Sequence, residues 1–273
     1  MTIKTVSDLC RRYSTVSHIN SSTSEGNTMG FMYWQLNDIW QAPTWASIEY
    51  GGKWKMSHYY AKQMYQSIYV LPVLEPYLTY DENAKISIYM INDGVANDTE
   101  QGTIECYVHD VEQFRPRTKF IFLVNTDDQI DSKIIYQVQY QALIQRARCQ
   151  NQSQCLMRCW YTSMNDTALE VYEQTLFFAR PKQYQLNNPK LNIVSVTNRS
   201  SDMTSFDIRI QADKPALFVW LDVVGVKGRF NQNGFHMFQN DKVLTYTTWG
   251  KPSTVNDIIQ GLSVSSLNDL YVM

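Results

Sequence analysis

The stretch from Thr28 to Tyr60, TMGFMYWQLNDIWQAPTWASIEYGGKWKMSHYY, limits what this chain can fold into more than any other. Four of the seven tryptophans (Trp34, Trp40, Trp45 and Trp54) fall inside it. Met29 to Leu36 is almost unbroken in apolar character and ends in a polar tip, Asn37-Asp38. A strand apolar on both faces belongs in a parallel sheet covered on both sides. Pro43 stops the strand and Gly51-Gly52 marks a turn. From Lys53 the period changes, with Met56, Tyr60 and Met64 recurring every fourth residue, which predicts an amphipathic helix. The order strand, long aromatic loop, helix is that of one βα unit of a (β/α)8 barrel, where function sits on the loop after the strand.

The string YWQLNDIWQAPTWASIEYGGKWKMSHYYA resembles the end of the catalytic barrel in lysosomal-type β-mannosidases of glycoside hydrolase family 2. A second segment, FVWLDVVGVKGRFNQNGFHMF from Phe218 to Phe238, is similar to the C-terminal β-sandwich of the same family. The resemblance implies a mostly β chain. Its expected parts are the last strand-loop-helix segment of a (β/α)8 TIM barrel (1–70) and two immunoglobulin-like antiparallel β-sandwich domains (71–185 and 186–273). It also implies an oligosaccharide substrate bound through a barrel that lies mostly outside this chain, packing on the rest of the parent enzyme, and no cofactor.

The local patterns are compatible with that division. A helix is predicted over about Val6 to Ser14, then a polar loop, HINSSTSEGN. Pro72 and Pro76 punctuate an extended linker, LPVLEP. Beyond Tyr77 the period is two: Ile86, Ile88 and Met90 alternate with Lys85, Ser87 and Tyr89. Further strands are predicted at Thr103–His109, Phe120–Asn125, Leu156–Met164 and Leu169–Phe178. Over Ile134 to Arg148 the first half alternates and the second, ALIQRAR, fits a short helix. After the Asn187-Asn188-Pro189 turn, Phe206–Ile210 alternates cleanly, and Ala216–Val224 and Lys242–Thr247 are also strand-like. Short strands with turn residues between them describe antiparallel sandwiches.

Composition narrows the function classes. Net charge is −2, which gives no electrostatic case for nucleic acid or an anionic membrane surface. No apolar run reaches the length of a bilayer-spanning helix. The aromatic fraction, 13%, is high, and suits both a β-rich core and carbohydrate stacking. MTIKTVSDLCRRYS has no h-region, so no signal peptide is read there. The resemblance places the family's signal peptide upstream, with Met1 internal and the parent enzyme in the lysosome. Five sequons, at Asn20, Asn97, Asn151, Asn165 and Asn198, are glycosylation candidates.

Five cysteines are an odd count. Cys149 and Cys155 flank QNQSQ and Cys159 follows closely, so a bridge from Cys149 to either neighbour is open. Cys106 alternates with Ile104 and Val108 and reads as a buried core thiol. No fourth ligand or regular spacing supports zinc.

Retaining glycoside hydrolysis needs two carboxyl groups about 5–5.5 Å apart. Asp38 sits where barrel catalysts live, but an Asp in an L-N-D-I turn more commonly binds backbone amides. The family's two catalytic glutamates lie on earlier strands, in N-E and S-E-[FY]-G motifs, and neither motif occurs here. The resemblance therefore assigns no catalytic residue to this chain and implies that the chain alone is inactive. What it leaves is Trp34, the tryptophan at the end of the last barrel strand, as a wall of the terminal-sugar subsite, with Asn37 as a hydroxyl contact. Periodicity alone favours the other reading, Trp34 in the barrel core. The loop Arg229 to Phe235 suggests either a binding loop or, better, a structural turn anchored by two phenylalanines. A rival class is a non-catalytic β-sandwich protein that binds glycans or a partner.

Overall fold

The computed structural model describes residues 2–13, 28–76, 81–93, 100–126, 131–165, 171–249 and 251–270. They form two compact units. The first comprises Met1–Tyr33, Lys62–Asp110 and Arg115–Gln185; the second comprises Trp34–Ala61, Val111–Phe114 and Leu186–Met273.

In the first unit, helix α1 (Thr2–Arg12) precedes the sheets, and the end of helix α2 (Met56–Met64) leads into them. Strands β1 (Ile68–Glu75), β2 (Lys85–Asn92), β3 (Glu100–Asp110), β4 (Pro116–Thr126), β5 (Asp131–Gln139), β6 (Cys155–Ser163) and β7 (Gln174–Phe177) follow, with helix α3 (Tyr140–Ala147) between β5 and β6. One sheet runs β1-β2-β5 and the other β4-β3-β6-β7, all neighbours antiparallel. Alternation explains the core. Ile86, Ile88 and Met90 of one sheet meet Ile104, Val108, Phe120 and Met157 of the other.

Strand β2 is buried on its second face as well. Tyr89 and Ile91 cluster with Tyr69 and Leu71. Arg11 of α1 lies over the Tyr69 ring, 4.5 Å from its centroid. Its guanidinium donates to the Met64 and Gln66 carbonyls at 2.7 and 2.6 Å and pairs with Asp93 at 2.7 Å. A guanidinium offers five donors in a fixed fork, so one buried arginine can satisfy two carbonyls and a carboxylate together. The Tyr69 hydroxyl lies 2.8 Å from the Asp8 carboxylate and 3.0 Å from the Gln174 side-chain oxygen.

The second unit contains β8 (Asn192–Asn198), β9 (Ser205–Gln211), β10 (Ala216–Val223), β11 (Gly228–Phe230), β12 (Phe235–Met237), β13 (Asp241–Thr248), helix α4 (Val255–Gly261) and β14 (Leu262–Ser265). Its sheets run β11-β13-β9-β8 and β12-β10-β14. Phe206, Ile208 and Ile210 from the first and Val219 and Leu221 from the second form the core with Phe230, Leu244 and Tyr246. Thr254 caps α4 in a reciprocal box with Asp257.

Several sequence expectations change here. Met29–Leu36 is not a strand: among the described residues it has no ladder, and only Asn37 makes an isolated parallel bridge, to Ile48. Apolar character does not make a strand without hydrogen-bonded neighbours. Met29, Met32, Trp34 and Leu36 are accordingly exposed, Met32 at 97%, while Phe31 stacks on Tyr65. Residues 71–75 of the expected linker LPVLEP instead belong to the edge strand β1, where Pro72 costs no inner-sheet hydrogen bond. The expected helix from Val6 forms and begins earlier, as Thr2–Arg12, and Ser14 lies outside the described residues. Cys106 is not a free thiol: it faces Cys159 across the β3/β6 register and is bonded to it. Cys149 is bonded to Cys155, and Cys10 is free. Over 134–148 both halves take the structure that their patterns predict. Only Gln174–Phe177 of the expected strand Leu169–Phe178 is formed, and 166–170 lie outside the described residues.

Candidate functional site

The residues around Trp34 are held by a short, closed set of backbone bonds. The Ser47 amide donates to the Gln35 and Leu36 carbonyls at 3.0 and 3.1 Å, and the Ile48 amide donates to Leu36 at 2.9 Å. In return the Asp38 amide donates to the Ile48 carbonyl at 2.9 Å. Residues 35–38 are thereby strapped to 47–48, and the intervening segment 39–46 bulges out. Trp34 stands at one end of this strap, 79% exposed, and Asn37, also exposed, stands at the other. Asn37 donates from Nδ2 to the Asp38 carbonyl at 3.2 Å.

Asp38 is buried and serves the loop. Its carboxylate accepts the Thr44 hydroxyl and pairs with Lys55 at 3.2 Å. The Thr44 bond holds its pKa below the ordinary carboxylate range, against the opposing pull of burial and with help from Lys55. An ionised, fully engaged carboxylate suits a structural clasp rather than a proton donor.

The loop and the start of α2 are fastened to the sandwich of the same unit. Lys53 pairs with Asp222 at 2.7 Å. The Tyr60 hydroxyl donates to the Gly234 carbonyl at 2.9 Å. Arg229 lies over the Trp54 ring, 4.8 Å from the centroid, and Trp54 packs edge-on against His58 and Tyr59. Gly234 is at φ 69°, and a Cβ there would come within 2.8 Å of Met56 Cγ, so this turn needs glycine. Asn233 is buried and spans the β10 backbone, donating to the Leu221 carbonyl at 2.8 Å and accepting its amide at 2.9 Å. The Arg229–Phe235 loop is thus built as a scaffold for the aromatic segment.

Trp40 and Trp45 are 61% and 83% exposed, whereas Trp54 packs on the core. Ser47 and His58 escaped sequence reasoning because nothing in their local pattern marks them. Among the sequons, Asn151, Asn165 and Asn198 are exposed, and the Asn151 side chain accepts from its own Ser153. Asn20 and Asn97 lie outside the described residues. No group of three or more His, Cys, Asp or Glu among the described residues is placed to hold a metal. No described helix is long and apolar enough to cross a membrane.

The Ig-fold domain family of mannosidases matches residues 186–270. A β-mannosidase of Rattus norvegicus is 32% identical over 248 residues, covering 90% of this chain and 27% of that protein. The crystal structure of a β-D-mannosidase from Dictyoglomus thermophilum superposes with a TM-score of 0.66 at 18% identity, over 97% of this chain and 28% of the other. An exo-chitosanase of Amycolatopsis orientalis superposes with a TM-score of 0.56 at 12% identity, over 95% and 31%. These structural likenesses concern the fold. The chain spans about a quarter of the length of the relatives it matches, 27% for the rat protein. It is a homologue of the C-terminal part of β-mannosidases.

Proposed function

We propose that this chain is the C-terminal portion of a retaining exo-β-mannosidase that removes terminal β-linked mannose from the non-reducing end of glycoprotein-derived oligosaccharides. The observation that carries this reading is 32% identity to a β-mannosidase sustained over nine-tenths of the chain. In this reading residues 1–70 complete a (β/α)8 barrel, the parent enzyme is lysosomal, and the two glutamates come from earlier barrel strands. Nucleophile and acid/base then act by double displacement with no cofactor.

The part assigned to this chain is binding. The exposed indole of Trp34 offers an electron-rich face to the C–H groups of the terminal sugar. Asn37 gives one Nδ2 proton to the Asp38 carbonyl, which leaves Oδ1 and the second Nδ2 proton for a sugar hydroxyl. The clasp of Asp38, Thr44 and Lys55 keeps that edge of the loop in place.

The test is the reading frame immediately upstream, expressed continuously with this chain and assayed with an aryl β-mannoside at acidic pH. Turnover by the extended protein, and none by residues 1–273 alone, is the expected pair of results. Turnover by 1–273 that disappears in Asp38→Asn would overturn the assignment of catalysis to other strands. A verified start at Met1, with folded and inactive protein, would favour the rival reading of a non-catalytic sandwich protein.

A further inference from the structure

The Leu36 carbonyl is the most heavily used acceptor in the loop. It receives the Ser47 amide at 3.1 Å, the Ile48 amide at 2.9 Å and the Ser47 hydroxyl at 2.9 Å. It lies between Trp34 and Asn37, so fixing it fixes the backbone from which both side chains project. Ser47 is 1% exposed. Its hydroxyl also meets His58 Nδ1 at 2.9 Å. A hydroxyl has one proton, and a carbonyl can only accept. The Ser47 proton is therefore committed to Leu36, and the Ser47–His58 bond must be donated by His58 Nδ1–H.

His58 is itself located from two sides. Its amide donates to the Lys55 carbonyl at 2.9 Å, in the first turn of α2. Its ring packs edge-on against Trp54, 4.4 Å between centroids, and Trp54 carries Arg229 on its face. The contacts form a continuous line: Arg229, Trp54, His58, Ser47, the Leu36 carbonyl, then Trp34 and Asn37.

We propose that Ser47 and His58 are positioning residues that hold the Trp34–Asn37 segment in the geometry the terminal-sugar subsite requires. This rests on the subsite reading given above. Neither residue touches the sugar. Ser47 acts through the Leu36 carbonyl, and His58 acts by supplying the proton that orients Ser47. The neutral ring with Nδ1 protonated fits this, since burial first and the Arg229 cation second lower the His58 pKa.

The first measurement uses the chain itself, labelled with 5-fluorotryptophan. The Trp34 fluorine resonance is assigned by its loss in Trp34→Phe. Ser47→Ala and His58→Leu should shift or broaden that line, and His58→Asn should leave it near the wild-type position, because the Asn amide replaces Nδ1–H. An unchanged Trp34 line in Ser47→Ala overturns the proposal.

The second measurement uses the extended enzyme with an aryl β-mannoside. Ser47→Ala should lower kcat/KM of the folded enzyme by about tenfold, carried mainly by KM. His58→Asn should recover most of the loss suffered by His58→Leu. If Trp34→Ala lowers kcat/KM and Ser47→Ala does not, the positioning role is wrong and the subsite stands. If Trp34→Ala has no effect, the subsite reading falls and this proposal falls with it.

Discussion

The hydroxyl of Tyr59 accepts the Phe230 amide at 3.2 Å inside the core of the second unit. A residue of the helix that follows the aromatic loop thus satisfies a backbone donor of β11. Tyr59→Phe keeps the ring and leaves that N–H without a partner, at a cost of about 1–3 kcal/mol. Urea denaturation of the two proteins measures it. The pH dependence carries a second signature. Burial pushes the Tyr59 pKa up to about 12. A group raised in the folded state contributes stability that is present below its unfolded pKa, about 10, and lost as pH rises through the folded value. Wild-type stability should therefore decline between about pH 10 and 12. Tyr59→Phe should decline less; equal slopes would contradict the buried-hydroxyl account.

Asp38 gives the opposite sign. Its pKa is depressed, chiefly by the Thr44 hydroxyl. A depressed carboxylate contributes stability above its unfolded pKa, about 3.9, and loses it as pH falls through the lower folded value. Asp38→Asn should therefore lower the denaturant midpoint by a constant amount from pH 5 to 8. The gap should close only below about pH 4. A gap that closes between pH 5 and 6 would mean that the carboxylate is not held as described. The clasp consequently holds down to about pH 4.

Both disulfides lie in the first unit, and they close loops of different length. Cys106–Cys159 spans 53 residues and Cys149–Cys155 spans 6. On loop-closure entropy the long bridge contributes about 4 kcal/mol and the short one about 2 kcal/mol. Replacing Cys106 and Cys159 together by alanine should therefore cost more than replacing Cys149 and Cys155. Thermal unfolding of each pair, followed by a probe in the first unit, orders them. Equal or reversed costs would show that the entropy difference is not what separates the bridges.

What could be read from the sequence was what is local. Phe206, Ile208 and Ile210 alternate and form β9, and ALIQRAR, read as a short helix, supplies most of α3. What escaped was set by partners distant in sequence. The second buried face of β2 depends on Arg11 and Tyr69, which no alternation within Lys85–Asn92 encodes. Cys106 finds Cys159 only once the β3/β6 register is known. Met29–Leu36 looked like a buried strand because its residues are apolar, whereas a strand also needs neighbours. At the site, YWQLND drew attention to Trp34 and Asn37, but Ser47 and His58 are joined by a side-chain hydrogen bond between a loop and a helix, which leaves no periodic trace.

Trp34 separates a core role from a binding role in a single pair of measurements. A buried tryptophan truncated to alanine costs about 3–5 kcal/mol. At 79% exposure Trp34 has little packing to lose, so Trp34→Ala should move the stability of this chain by less than about 0.5 kcal/mol. Trp34→Phe should be equally silent. In the extended enzyme the same substitutions remove or preserve a stacking face. Aromatic stacking of a planar ligand is worth about 1–3 kcal/mol. Trp34→Ala should then reduce kcat/KM by roughly 10- to 100-fold, and Trp34→Phe should restore part of it. Because stability is unmoved in the isolated chain, a loss of turnover cannot be assigned to unfolding of this portion. A large drop in the chain's melting temperature, with kcat/KM unchanged in the extended enzyme, would return Trp34 to the core and leave the sugar-binding wall without its residue.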